Sequence, residues 1–446
     1  MSSPARWRRP GRLAALAGTA FWAAAWGVAL AAPVAAAEPG TALDARIAAL
    51  AAAEKPALLQ TLAQLVAIES GSRDLDGLDR ISALVADRLR ALGGKVELID
   101  PSADAYRMED TPEKIGKIVR ATFTGTGERK ILLIAHMDTV YQIGMLGRQP
   151  FRIDGDKAYG LGVADDKQGI AVILHVLAML RALDFKDYGS LTVLINGDEE
   201  ISSPGARALL TQLGGESDVV LSYEGSSVAD DRLTLATAGI AAVTLHITGK
   251  AAHAGSPQAG VNALYEMAYQ VLQMRDLSDP ATGLKLNWTV ARSGTNRNVI
   301  PASATAGADV RVRSVADYER IEAQVRDHAA RRMIPESRVD VVFERRRPPL
   351  QASDASRALA AHAQRIYRSL GRELGVDDQV AGDGTDAAFA GLKTSAAVIE
   401  RFGLQSFGAH SPDAEYVLLD SIEPRLQLST RMIIDVSRGL TGAAAP

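Results

Sequence analysis

The chain contains no cysteine. That absence excludes disulfide scaffolds, thiol nucleophiles, Cys-ligated zinc and iron–sulfur clusters together. Aromatic residues are scarce at 5%, and three of the four tryptophans (Trp7, Trp22 and Trp26) sit close to the N-terminus, leaving Trp288 alone in the rest. Nor is there an excess of one charge. The 49 Lys and Arg against 53 Asp and Glu give a formal charge of −4, too balanced for a nucleic-acid footprint or an acidic tail. With 47% hydrophobic residues the composition excludes a disordered chain. A length of 446 residues accommodates two or three structural units.

Residues 1–37 differ from the remainder. They hold Arg6, Arg8, Arg9 and Arg12 and no acid, then an uncharged run from Leu13 to Ala32, then Ala35-Ala36-Ala37. Basic, apolar and small-x-small regions in that order define a secretory signal peptide. A cleaved signal and a periplasmic or secreted mature protein are therefore expected. The alternative is an uncleaved anchor, because the 20 residues from Leu13 to Ala32 just suffice to span a bilayer. A mostly alanine run is weakly apolar for insertion, which favours cleavage, and Arg8-Arg9 is only a weak twin-arginine signal. Cleavage removes four arginines and takes the net charge from −4 to −8, with no stable membrane association afterwards.

Beyond residue 37 the apolar pattern separates into two kinds of unit. Helical spacing over 41–67 and 76–93 precedes three short, nearly uncharged runs, 131–135, 191–196 and 219–223, each reading as a buried strand. An apolar helix over 168–181 lies between the first two. This alternation predicts an α/β domain with a mostly parallel sheet covered on both faces. From about Ala238 the period changes: strand, helix (261–274), two strands, a second helix beginning near Val315, and a strand at 339–343. That β-α-β-β-α-β order is ferredoxin-like. Arg345-Arg346-Arg347-Pro348-Pro349 reads as an exit linker, followed by a helix (355–370), a strand (396–400) and a closing helix (421–437). The expected organisation is a signal peptide (1–37), an α/β domain in two parts (38–237 and 349–446) and an inserted α+β domain (238–348).

The ionisable residues gather at the strand ends. The run 131–135 ends in His136-Met137-Asp138, 191–196 in Gly197-Asp198-Glu199-Glu200, and 219–223 in Glu224, while Asp165-Asp166 precedes the buried helix. Ligands of open parallel sheets bind outside the carboxyl ends of the strands, so these groups should converge on one crevice. Carboxylates gathered there would repel one another unless a cation joined them. One His with several acids and no thiol suits zinc, manganese or cobalt. Two metals would need a bridging carboxylate, and Asp138 is placed to take the second imidazole N–H of a metal-bound His136. Singly, each feature is ordinary: a strand-end His is more often not a ligand, and Asp165-Asp166 can simply cap a helix. Their joint occurrence makes the metal reading. Gly160-Leu161-Gly162 lacks the third glycine of a dinucleotide site, and no G-x-S-x-G elbow lies near these strands.

From about Leu59 to Asp435 the chain resembles the co-catalytic zinc peptidases of the aminoacylase/carboxypeptidase G family, and within it the folate-hydrolysing bacterial glutamate carboxypeptidases. The resemblance rests on the segments 136–141, 155–160, 164–167, Asp198-Glu199-Glu200, 249–255, 300–304 and 384–388. It implies two zinc ions per subunit, with cobalt or manganese as possible substitutes. Asp165 would bridge them, His136 and Glu224 would complete one site, and Glu200 and His410 the other. It implies metal-bound hydroxide with Glu199 as general base, and an oxyanion donor, His253, contributed across a homodimer by the inserted (lid) domain. It also implies substrate contacts from Asn298, Arg311 and Gly384, with Arg311 holding a substrate α-carboxylate. Arg232 is a candidate for a side-chain carboxylate.

Two positions depart from the subgroup: Gly225 replaces the usual proline after the metal-binding Glu, and Asp383 stands where a glycine is usual. Both bear on which amino acid is released. The function so implied is removal of a C-terminal glutamate, or a similar amino acid, from N-acyl, peptidyl or folate-type substrates. An acyl-amino-acid deacylase, dipeptidase or desuccinylase would share every metal ligand. A non-catalytic homologue would have no need of Glu199.

Overall fold

Strand Lys130–His136 is charged only at its first residue, and every later residue is buried. A strand buried on both faces belongs inside a sheet, and the computed structural model, which describes residues 39–380 and 382–441, places it there. The six-stranded order is Lys95–Ile99, Ile118–Thr124, Ser190–Asn196, Lys130–His136, Val219–Ser222, Ala397–Ile399. The last four run parallel. The first two, which the apolar pattern did not single out, add an antiparallel edge. Alternate residues of the central strand enter opposite cores. Ile131, Leu133 and Ala135 pack with helices Gln168–Ala182 and Ile422–Ser437, whereas Leu132 and Ile134 pack with Arg207–Glu216 and Asp386–Ala390. All the carboxyl ends of the parallel strands therefore open on one side.

A second sheet, order Lys285–Ser293, Ser303–Val312, Gly239–Thr248, Arg338–Arg347, is wholly antiparallel. Helices Ala263–Gln273 and Val315–Ala330 cover one face, the latter started by a Ser314/Asp317 capping box. Along Gly239–Thr248, Ala241, Val243, Leu245 and Ile247 are all essentially buried under those helices. Each of the larger three contributes about 1.5–3 kcal/mol by leaving water. On the opposite face Glu109, from the loop before Ile118–Thr124, accepts from Thr244 and lies 2.8 Å from His246 Nε2.

One boundary differs from the sequence expectation. Arg345–Arg347 is not linker; the last strand continues through Arg347. A bulge opposite Ile240/Ala241 sets Arg345 against Ala241 and Arg347 against Ile240. The extra residue reverses the alternation, so Arg345 reaches Glu322 on the helical side while Arg347 faces the crevice.

A small five-stranded sheet, order Arg152–Asp154, Lys157–Tyr159, Tyr416–Leu418, Gln405–Phe407, Ser226–Ser227, frames that crevice. Its strands adjoin the 160–167 loop, His410 and Glu224, so their pairing draws three distant segments together. The signal-peptide expectation for residues 1–37 lies outside the described residues. Among the described residues no helix is long and apolar enough to cross a membrane.

Candidate active site

His136 is the last residue of its strand and nearly inaccessible, with its Nε2 2.8 Å from Asp165 Oδ1. His410 Nε2 lies 3.1 Å from Asp165 Oδ2 and 3.1 Å from Glu200 Oε2. Ligand atoms of Asp165, Glu200 and His410 fall within 4.8 Å of one another. Asp165 thus faces one histidine with each oxygen, the arrangement a bridging carboxylate needs. Glu224 lines the same cavity of about 580 Å³, together with Glu199, Glu200 and His410.

The polypeptide holds these groups by specific means. Gly162 has φ +71, and a Cβ there would come within 2.5 Å of Thr139 Cγ2, so the loop before Asp165 requires glycine. The peptide bond between Asp165 and Asp166 is cis. Glu415, fully buried, accepts N–H bonds from Gly162, Ala164 and Asp165 and an O–H bond from Tyr141. It ties the loop bearing Asp165 to the one bearing His410. His410 has φ +65, a left-handed conformation costing about 1–2 kcal/mol outside glycine.

Asp138 has no exposed surface and accepts N–H bonds from Glu199 and Glu200 and an O–H bond from Ser72. His136 Nδ1 is closer to the Asp138 backbone carbonyl (3.1 Å) than to its carboxylate (3.4 Å). The carboxylate expected to partner the imidazole thus also accepts both N–H groups of the Glu199-Glu200 turn.

The electrostatics fit a cation. Burial pushes the Glu200 carboxyl up. Burial likewise raises Glu224 well above the carboxylate range, with Glu400, Glu199 and Asp165 adding to it. Burial acts on Asp165 too, but its hydrogen bonds with His136 and His410 outweigh it and hold that carboxyl low. His410 is raised to about 10 by its hydrogen bonds to Asp165 and Glu200. Glu200 Oε1 is buried without a hydrogen-bond partner. An oxygen-rich set with two imidazoles and such an orphaned oxygen fits divalent zinc, cobalt or manganese.

Glu199 is pushed up to about 8 by burial, against the opposing pull of Arg347. Arg347 Nη1 lies 2.6 Å from Glu199 Oε1 and 3.5 Å from Asp386 Oδ1, and Nη2 donates to the Glu199 carbonyl. Sequence reasoning missed Arg347 and Asp386. The Gly384-Thr385-Asp386 turn was the available signal: a Cβ at Gly384 would sit 2.4 Å from Arg347 Cδ, so glycine is needed for the turn to pack against that arginine.

Arg311 lines the cavity, its Nε and Nη2 each 2.9 Å from an Asp309 oxygen and its Nη1 donating to the Gly382 carbonyl. Gly225 abuts Ser406, whose Oγ would lie 2.1 Å from a Cβ there. Five expected residues are not among those lining the cavity: His136 and Asp138, both buried, and Arg232, His253 and Asn298. Arg232 is paired with Asp230 and lies 3.6 Å from Asp377. His253 and Asn298 are exposed together on the ribbon where Ala252–His253 pairs with Val299–Ile300, and the Ala254 N–H donates to the Asn298 carbonyl.

Residues 132–435 match the peptidase family M20/M25/M40. The chain is 42% identical over 387 residues to carboxypeptidase G2 of Pseudomonas sp. (strain RS-16), covering 86% of this chain and 91% of that one. It is 31% identical over 232 residues to acetylornithine deacetylase of Pasteurella multocida (strain Pm70), 50% of this chain and 56% of that protein. Its fold resembles that of the aminopeptidase PepT from Bacillus cereus, with a TM-score of 0.69, 20% identity and coverage of 86% and 98%. The chain belongs to the peptidase family M20/M25/M40 and is a metallo-exopeptidase.

Proposed function

We propose that the protein is an exported di-zinc carboxypeptidase that releases a C-terminal glutamate, or a similar amino acid, from N-acyl, peptidyl or folate-type substrates. The observation that carries this reading is the placement of Glu199 beside the Asp165–Glu200–His410 cluster, with the Arg311 guanidinium lining the same cavity. The 42% identity to carboxypeptidase G2 over most of both chains supports it. His136, Asp165 and Glu224 would hold one zinc ion, and Asp165, Glu200 and His410 the other. Bound there, the ions supply Lewis acidity and offset the clustered carboxylates.

The remaining steps belong to the chain. Arg311 uses three of its five N–H groups on Asp309 and Gly382, which leaves two for the α-carboxylate of the substrate. Glu199 takes the proton of the attacking water and passes it to the leaving amine. Arg347 holds that carboxylate in place and favours its ionised form.

His253 would donate to the developing oxyanion from a second subunit. Its exposure, and that of Asn298 beside it, supports this arrangement. Strand Lys285–Ser293 lies at the edge of its sheet, and Val290, Leu264, Tyr265 and Leu272 are exposed, as a dimer-forming lid at residues 238–348 requires. The basic, apolar and small-residue order of residues 1–37 supports export.

The test is a panel of N-acyl amino acids and folate-like glutamates with the zinc-loaded protein. Hydrolysis should require a free α-carboxylate and release the C-terminal residue. Equal cleavage of the amidated substrates would sink the reading.

A further inference from the structure

One ion pair in the cavity plays no part in the steps above. Arg401 Nη2 lies 3.0 Å from Asp383 Oδ2, and both residues line the cavity beside Arg311 and Gly384. Arg401 directly follows the buried Glu400, whose Oε1 accepts the Arg401 N–H at 2.9 Å. Its φ of +66 is left-handed, a conformation an arginine adopts only against a steric penalty. Asp383 sits on an exposed turn with its side chain 75% accessible, against 28% for Arg401.

The other cavity guanidinium groups are occupied. Arg347 is buried between Glu199 and Asp386. Arg311, oriented from its side by Asp309 and by the Gly382 carbonyl, retains N–H groups for a single carboxylate. A second carboxylate on the released amino acid calls for another cation, and among the described residues the Arg401 guanidinium is paired with the exposed Asp383.

We propose that the Arg401–Asp383 pair determines specificity for the side chain of the released amino acid: Arg401 receives a side-chain carboxylate, and Asp383 competes with it for the same guanidinium. This inference rests on the carboxypeptidase reading. Two carboxylates at one guanidinium repel each other, so an acidic side chain binds by displacing Asp383 toward water. A carboxamide avoids that conflict: its oxygen accepts from Arg401 while its NH₂ donates to Asp383, and the pair stays intact. The aspartate therefore narrows the advantage of glutamate over glutamine that a lone arginine would create.

The experiment compares kcat/KM for N-acyl-glutamate, N-acyl-glutamine and N-acyl-alanine in the zinc-loaded wild type, Arg401→Met and Asp383→Asn. Arg401→Met should lower the glutamate-to-alanine ratio roughly tenfold, and Asp383→Asn should raise the glutamate-to-glutamine ratio by roughly the same factor. Should Arg401→Met fail to fold, Asp383→Asn, on its exposed turn, decides alone. Unchanged ratios alongside active enzyme would overturn the role of the pair. Wild-type protein that cleaves none of the three substrates would overturn the carboxypeptidase reading instead.

Discussion

Arg347 Nη1 lies 2.6 Å from Glu199 Oε1, and a second N–H group of the same guanidinium is donated to the Glu199 backbone carbonyl. The pair is buried, and Asp386 approaches the arginine from the other side. Burial raises the pKa of Glu199, and the guanidinium opposes that rise.

Replacing Arg347 with Met should therefore raise the pKa of Glu199. A general base works only above its pKa, so the acid limb of the kcat/KM profile should move to higher pH, by about one unit or more. Arg347→Lys should move it less, because the charge remains but the two-pronged hold is lost. A limb that stays in place in Arg347→Met would rule out this role.

Glu199→Gln should bind metal as the wild type does, since the Glu199 carboxylate is held by Arg347 and is assigned to neither ion. Its kcat should nevertheless fall by roughly 10²–10⁴-fold, the usual contribution of a positioned base. Metal content by elemental analysis, measured beside turnover, separates the two effects. Loss of metal in this variant would mean that Glu199 is a ligand.

Metal affinity should depend strongly on pH. In the metal-free protein the His410 pKa is raised to about 10 by Asp165 and Glu200. Metal needs the neutral imidazole, so binding below that pH must expel a proton, and affinity should rise about tenfold per pH unit for each proton released. Titration calorimetry in buffers of different ionisation enthalpy counts the protons released. Binding without proton release would contradict the assignment of His410. Chelators should inactivate the enzyme, with zinc or cobalt restoring it.

Arg311→Ala should raise KM for free-carboxylate substrates by roughly 10–100-fold, the loss expected when a charged hydrogen-bonding partner is removed. Activity on the corresponding amides, low in the wild type, should change little. Asp309→Asn should give a smaller loss, because it frees Arg311 from its orienting partner without removing the charge.

His136, Glu199, Glu200 and Glu224 were legible because each follows a run of apolar residues whose burial places its end at the rim of a parallel sheet. That is a local relation between pattern and position, and it survives folding. The two antiparallel edge strands carried no such signature: Lys95–Ile99 is mostly half-exposed, and Ile118–Thr124 mixes arginine and threonine among its apolar residues.

Arg347 shows where local pattern runs out. Strict alternation puts Arg345 and Arg347 on one face, and only the bulge opposite Ile240/Ala241 sends the second into the active site. Register is decided by the neighbouring strand, which the order of residues along the chain does not reveal.

The sequence by itself determined the family, the cysteine-free donor set and the strand ends that carry most of it, because apolar burial and ligand chemistry are properties of short segments. Only the tertiary structure decided how those segments meet. The small five-stranded sheet brings His410 to Asp165, Glu415 clamps both loops, and a one-residue bulge aims Arg347 at Glu199. The pairing of Asp383 with Arg401 likewise exists only once two loops have closed on the same cavity, since its energy depends on a distance that no residue spacing encodes.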